Sequence, residues 1–169
     1  GYCVTRSYDN AIMLVLTGSG SNGKSTFLDY LVSLLGTENT ASATLSALAD
    51  SNQRFVTSTL YHKTANVFAD ISNSFIKELG MIKPLTGRDQ IQAEYKGKNP
   101  FTFTNYAKLV FSANELPALA DSTYGLKRRL RVVDFPLAFK DEAFIREFAK
   151  QYPMAKIQRE KDDFIYYCL

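Results

Sequence analysis

A chain of 169 residues, 46% hydrophobic and 22% charged, suits one globular domain with a full core. No stretch approaches the roughly eighteen apolar residues of a membrane-spanning helix, no secretory signal precedes the first apolar run, and the single His62 excludes a multi-histidine metal site. The formal net charge of +3 is too mild to establish a nucleic-acid partner, so the informative charges are the local clusters.

In chain order, Ala11-Ile12-Met13-Leu14-Val15-Leu16 is a continuous apolar run, as a strand buried on both faces requires. Gly18-Ser19-Gly20-Ser21-Asn22-Gly23-Lys24-Ser25 follows, a G-x-x-x-x-G-K-S string with Thr26 after it. Apolar residues at 27, 28, 31, 32 and 35 then recur at helical spacing, and Gly36 is placed to end that helix. Residues 37–51 read as a loop holding a short helix at Leu45–Ala49, and 52–60 read as helix. Ala65-Asn66-Val67-Phe68-Ala69-Asp70-Ile71 predicts a second buried strand with a carboxylate at its end. A helix over 74–82 is expected to stop at Pro84 and Gly87.

The alternation in Ile91-Gln92-Ala93-Glu94-Tyr95 and Phe101-Thr102-Phe103, about a Lys96–Pro100 turn, predicts a β-hairpin. Lys108–Ala113 is a third buried strand ending on Asn114, and Leu130–Phe135 a fourth, closed by Pro136. From Asp141 to Tyr152 an acidic start and apolar 144, 145, 148 and 152 predict a helix ended by Pro153. Alternating strands and helices give an α/β class with a mainly parallel sheet covered on both faces. Cys3 and Cys168, without C-x-x-C spacing, read as free thiols of a reducing compartment, so the expected setting is the cytoplasm. The opening Gly1-Tyr2, in place of a methionine, suggests an excised domain.

The glycine string, set between strand and helix, predicts a phosphate cradle. Glycines let successive backbone N–H groups face one anion, and the helix start adds its positive end. Lys24 is expected on the β- and γ-phosphates of a nucleoside triphosphate and the Ser25 hydroxyl on Mg²⁺. Asp70 is read as a second Mg²⁺ ligand, against a helix cap. Asn114 either orients the attacking water or is a turn residue leading into Glu115-Leu116-Pro117. The run Lys127-Arg128-Arg129-Leu130-Arg131 either offsets transition-state charge, in cis or from a neighbouring subunit, or is a solvated edge. Lys96 and Lys98, with Tyr95 and Phe101 beside them, suit single-stranded phosphates and bases; equally, they are solubilising hairpin lysines.

Five segments in order give the chain a resemblance to superfamily 3 helicase ATPase domains of the phage and plasmid primase–helicase branch. They are Gly20-Ser21-Asn22-Gly23-Lys24-Ser25-Thr26, Asn66-Val67-Phe68-Ala69-Asp70-Ile71, Ile82-Lys83-Pro84-Leu85-Thr86-Gly87-Arg88-Asp89, Phe111-Ser112-Ala113-Asn114-Glu115-Leu116-Pro117 and Gly125-Leu126-Lys127-Arg128-Arg129. The resemblance spans residues 1–139 and implies an AAA+-type P-loop ATPase core, with a truncated helical tail over 140–169. It further implies that residues 18–26 bind ATP, that Ser25 and Asp70 hold Mg²⁺, and that Lys96 and Lys98 lie on a DNA-contacting hairpin before the sensor strand. Asn114 is then the sensor and Arg128 or Arg129 a finger acting on ATP held by the adjacent subunit. Such proteins form rings, usually hexamers, that translocate on single-stranded DNA during replication of a phage, plasmid or mobile element.

Two departures accompany the resemblance. Ile71 stands where many such ATPases carry a second carboxylate, leaving Glu78 and Asp89 as candidate bases; and 151–169 do not resemble the usual helical and winged-helix segments. With no upstream helical collar either, the fragment alone is expected to be monomeric and a poor ATPase. Alternatives are a small-molecule phosphotransferase, for which no arginine-rich lid is evident, and an ATP-binding regulatory module without helicase activity. A GTPase is disfavoured because no N-K-x-D string follows Asp70.

Overall fold

The apolar run at 11–16 becomes β1 (Met13–Thr17), and the glycine loop leads into α1 (Lys24–Leu35) in a computed structural model that describes residues 1–7, 9–71, 79–116 and 124–168. Gly36 ends α1 as expected: its φ of 86° is one that only glycine adopts cheaply, and its N–H bonds the Val32 carbonyl at 2.9 Å. Then come β2 (Thr40–Ala41), α2 (Leu45–Ala49), α3 (Arg54–Ser58) and β3 (Ala65–Phe68). Thr44 caps α2 by accepting the Ala47 N–H at 3.1 Å. The remainder is α4 (Ile82–Leu85), β4 (Gln90–Ala93), β5 (Phe101–Thr104), β6 (Lys108–Ala113), α5 (Tyr124–Lys127), β7 (Leu130–Asp134), α6 (Glu142–Gln151), α7 (Met154–Arg159) and α8 (Lys161–Cys168).

Five strands form one parallel sheet in the order β2-β3-β6-β1-β7, and β4 pairs with β5 as the predicted antiparallel hairpin. Alternation along β1 and β6 splits the core between the two faces. Met13, Val15, Leu109 and Phe111 pack with α2, α4 and α5 residues on one face, while Leu16 and Val110 meet Leu28 of α1 on the other. This is the α/β core expected of the sequence, a mainly parallel sheet flanked by helices. The decisive feature of the order is that β6 lies between β1 and β3. The carboxyl ends of these three strands, and the residues that follow them, are therefore neighbours.

Three local expectations change. α4 includes Pro84 instead of stopping before it, because Pro84 is the third residue of the helix, where no N–H has an intrahelical partner. The strand expected through Ile71 ends at Phe68. The helix expected over 74–82 falls largely on 72–78, outside the described residues. β7, expected as a buried strand, is an edge: it pairs with β1 alone, and Val132 and Val133 remain 47% and 45% exposed. Leu, Val and Val read alike at the centre and rim of a sheet; only the strand order distinguishes them.

Beyond β7, Asp141 caps α6 through its carboxylate, which accepts the Ala143 and Phe144 N–H groups at 2.8 and 3.1 Å. The predicted apolar stripe is present as a ladder of rings, Phe139, Phe144, Phe148 and Tyr152, with centroids 4.8–5.9 Å apart. At the amino end of β6, Lys108 is buried over the Tyr2 ring and donates to the Ser7 and Tyr106 carbonyls, tying the first residues to the sheet. Burial there pulls its ammonium below the ordinary lysine range.

Candidate phosphate-binding site

The loop after β1 is shaped by backbone that side chains rarely tolerate. Gly18, Gly20 and Gly23 have φ of 148°, 92° and 86°. A Cβ on Gly18 would stand 2.1 Å from Asn22 Nδ2 and 2.5 Å from the Phe135 carbonyl oxygen, so this first glycine is required by contact as well as by angle. Asn22 is buried and donates to that same Phe135 carbonyl at 3.1 Å, while the Phe135 N–H bonds the Thr17 carbonyl at 2.8 Å. The segment leaving β7 thus holds the loop from behind. On its other side the Gly18 N–H donates to the Asn114 carbonyl at 3.2 Å.

Lys24 opens α1 and is buried, 7% exposed. Its ammonium donates to the Gly18 carbonyl at 2.6 Å and Asn22 Oδ1 at 3.0 Å, both within its own loop. Among the described residues no carboxylate pairs with it. A desolvated cation held only by neutral oxygens, above the first turn of a twelve-residue helix, is an anion site by its donor set.

A cleft of about 430 Å³ lies over this loop. Residues 20–26 form one wall, and Ala69, Asp70, Ser112 and Asn114 form the other. Ser25, Asp70 and Asn114 are therefore brought to the cleft with Lys24; Gly18 supports it from beneath, and Ser19 is exposed outside its lining. Among the described residues no group of three or more His, Cys, Asp or Glu could hold a metal. The oxygens in place suit Mg²⁺ in a different way, since that ion is commonly bound by one or two protein ligands and substrate phosphates.

Asp70 adopts φ of 61°, which costs a non-glycine residue on the order of 1–3 kcal/mol. Ser112 of β6 secures it: the Asp70 N–H donates to Ser112 Oγ at 3.2 Å and the Ile71 N–H to the Ser112 carbonyl at 2.7 Å. Sequence reasoning assigned Ser112 no role. Its one signal was a hydroxyl inside the otherwise apolar end of Lys108–Ala113. Ser112→Ala is expected to lower unfolding stability by about 1 kcal/mol in urea titration, the worth of one buried hydrogen bond, and to weaken Mg²⁺-dependent nucleotide binding. Unchanged values in both would remove Ser112 from the site.

The other candidates lie elsewhere. Ile71 is buried in the core, so the position after Asp70 has no access to the cleft. Asp89, proposed as a base, sits just before β4 and does not line the cleft; Glu78 lies outside the described residues. Arg128 and Arg129 precede β7 at its amino end. The Met13 N–H donates to the Arg129 carbonyl at 2.7 Å, so these residues stand one strand length, on the order of 15 Å, from Gly18. The Arg129 guanidinium is turned back on α5, donating through Nη1 to the Gly125 carbonyl at 2.7 Å. Arg128 is exposed, and among the described residues its side chain has no partner.

The hairpin stands at the amino side of the sheet too, because β5 leads directly into the start of β6. Lys96 and Lys98 are exposed in its loop, with Gly97 at φ of 75° and the Lys98 N–H on the Tyr95 carbonyl at 2.9 Å. α3 supports the hairpin through the Arg54 carbonyl, which accepts the Glu94 N–H at 3.2 Å.

A family model described as a family of unknown function (DUF5906) matches residues 16–129, from the end of β1 to the basic run before β7. The chain belongs to the DUF5906 family. This DUF5906 chain is 28% identical over 144 residues to a protein of Acanthamoeba polyphaga mimivirus named "Putative helicase L207/L206". The match takes in 79% of this chain and 14% of the viral protein. In fold, it is similar to the C-terminal region of NrS-1 in its A-form apo structure, at TM-score 0.57 and 17% identity over 79% of this chain and 30% of that one. It is similar also to the JCV helicase solved with a bound small molecule, at TM-score 0.55 and 18% identity over 86% of this chain and 40% of that one. The DUF5906 chain therefore spans well under half the length of each of these proteins. Among its described residues no helix is long and apolar enough to cross a membrane.

Proposed function

We propose that this chain is the ATP-hydrolysing motor of a superfamily 3-type helicase, of the phage and plasmid primase–helicase branch, driving movement along single-stranded DNA. The observation that carries the reading is the shared cleft: Lys24, Ser25, Asp70 and Asn114, which come from three separate parts of the chain, line one space at the carboxyl edge of the sheet. The helicase-named viral relative and the fold it shares with the JCV helicase support the same reading.

In this account the amides of residues 20–26 cradle the phosphates, and Lys24 exchanges its two loop oxygens for phosphate oxygens. Ser25 and Asp70 hold Mg²⁺, which neutralises charge on the phosphates. Asn114 positions the attacking water. Its carbonyl already holds the Gly18 N–H, so a shift at the water site is felt in the loop. Neither Arg128 nor Arg129 reaches this chain's own cleft. A finger role for Arg128 thus belongs to the cleft of a neighbouring subunit, in a ring that we propose is a hexamer. Lys96 and Lys98 meet the strand, the motor core being residues 1–139 and the tail 140–169.

The buried Ile71 favours one second reading, an ATP-binding regulatory module that lacks a base beside Asp70. ATPase assays with and without single-stranded DNA separate the two. Stimulation by the strand supports the motor, whereas ATP binding with no turnover under either condition supports the module. Lys98→Ala is expected to weaken single-strand binding and reduce the salt slope by about one contact. Unchanged affinity at matched salt would remove the hairpin from the interface.

A further inference from the structure

A second cleft, of about 540 Å³, shares no lining residue with the phosphate-loop cleft. Its floor is residues 40–44, at and beyond β2, the outermost strand of the sheet on this side. Backbone on the free side of an edge strand has no ladder partner and can hydrogen-bond a ligand. Tyr61 and Tyr95 stand in its walls, 36% and 42% exposed. Both are held by neighbours rather than left loose. Tyr95 stacks on Phe101 with centroids 5.2 Å apart and planes 21° apart, while Tyr61 meets Phe101 and Phe103 edge-on at 5.0 and 5.3 Å.

Charge gives the occupant its class. Among the described residues the lining contains no Asp or Glu. The Lys98 ammonium lies 5.9 Å from the Tyr95 ring centroid, and exposed Lys96 is two residues away. A tyrosine-walled space with Lys63 in its lining and Lys98 beside Tyr95 suits a planar heterocycle attached to phosphate, because aromatic faces stack on any base while lysines take the backbone. An apolar peptide would leave the lysines without a role.

We infer that the cleft between Tyr61 and Tyr95 receives an unstacked base of the strand whose phosphates meet Lys96 and Lys98. The inference rests on the single-strand reading above and adds to it a base contact that phosphate binding alone does not require. Because stacking is indifferent to base identity, the site accepts any sequence.

The test compares oligothymidylate with an abasic strand of the same length, by fluorescence anisotropy at several salt concentrations. The unaltered chain should bind oligothymidylate about tenfold more tightly. Tyr95→Leu should abolish that preference without changing the salt slope, and Tyr95→Phe should keep it. Equal affinity of the unaltered chain for both strands would overturn the base pocket while leaving the hairpin contact intact. Equal loss on both strands with Tyr95→Leu would also overturn it, showing that Tyr95 only supports the hairpin. If the unaltered chain binds neither strand, the single-strand reading itself fails, and the pocket with it.

Discussion

Lys24→Ala is expected to reduce ATP hydrolysis by at least about 10²–10³-fold, the scale of losing one preorganised charge partner of the transition state. The expectation follows from the lysine's burial and from its partners. An exposed lysine could be replaced by solvent cations, but Lys24 is enclosed by its own loop and, among the described residues, bonds only Gly18 O and Asn22 Oδ1. Removing it leaves the loop's amides in place but takes away the one cation that the described residues give the cleft lining. Two loop oxygens also lose a donor, at about 1 kcal/mol each, which the core spread over both faces of the sheet can absorb. Circular dichroism should therefore show a folded chain. Steady-state phosphate release checks the result, and full activity in the folded variant would contradict the assigned site.

The arginine pair should give the second large effect. Arg128→Ala is expected to cut turnover by about 10³-fold or more while leaving nucleotide binding intact, as loss of an arginine finger does. Arg129→Ala should have less effect on turnover, since the Arg129 guanidinium is already committed to the Gly125 carbonyl. In the proposed ring the finger acts between subunits, because both residues stand at the opposite end of β1 from the loop of their own chain. Mixing inactive Lys24→Ala with inactive Arg128→Ala should therefore restore part of the activity. Mixed rings contain interfaces that join an intact lysine to an intact arginine. No recovery in assembled mixtures, or full turnover by Arg128→Ala alone, would contradict the shared-site account.

Much of this was legible in the sequence because the signals were local. The glycine string carries its own backbone chemistry, Gly36 ends a helix where its periodicity stops, and Asp141 caps one where its charge predicts. β6 was readable from an unbroken run of buried residues, and the hairpin from its alternation. What was not legible depends on strands meeting. No local pattern places β6 between β1 and β3, and that order is why Asp70 and Asn114 face Lys24 across one cleft. The role of Ser112 arises from the same adjacency, since its partner Asp70 is a strand away in space and 42 residues away in sequence. The exposure of β7 and the tyrosine-walled cleft beside β2 are likewise properties of sheet edges. Composition does not say which strand becomes an edge.

A triphosphate gripped by residues 18–26 at the carboxyl edge of the sheet would register in backbone amide chemical shifts recorded while Mg²⁺ and a non-hydrolysable ATP analogue are added. The predicted result is saturable perturbation concentrated on the amides of residues 19–26, with Asp70, Ser112 and Asn114 following, and its loss in Lys24→Ala. Saturable shifts confined to other parts of the chain, or no shift at millimolar analogue, would contradict it.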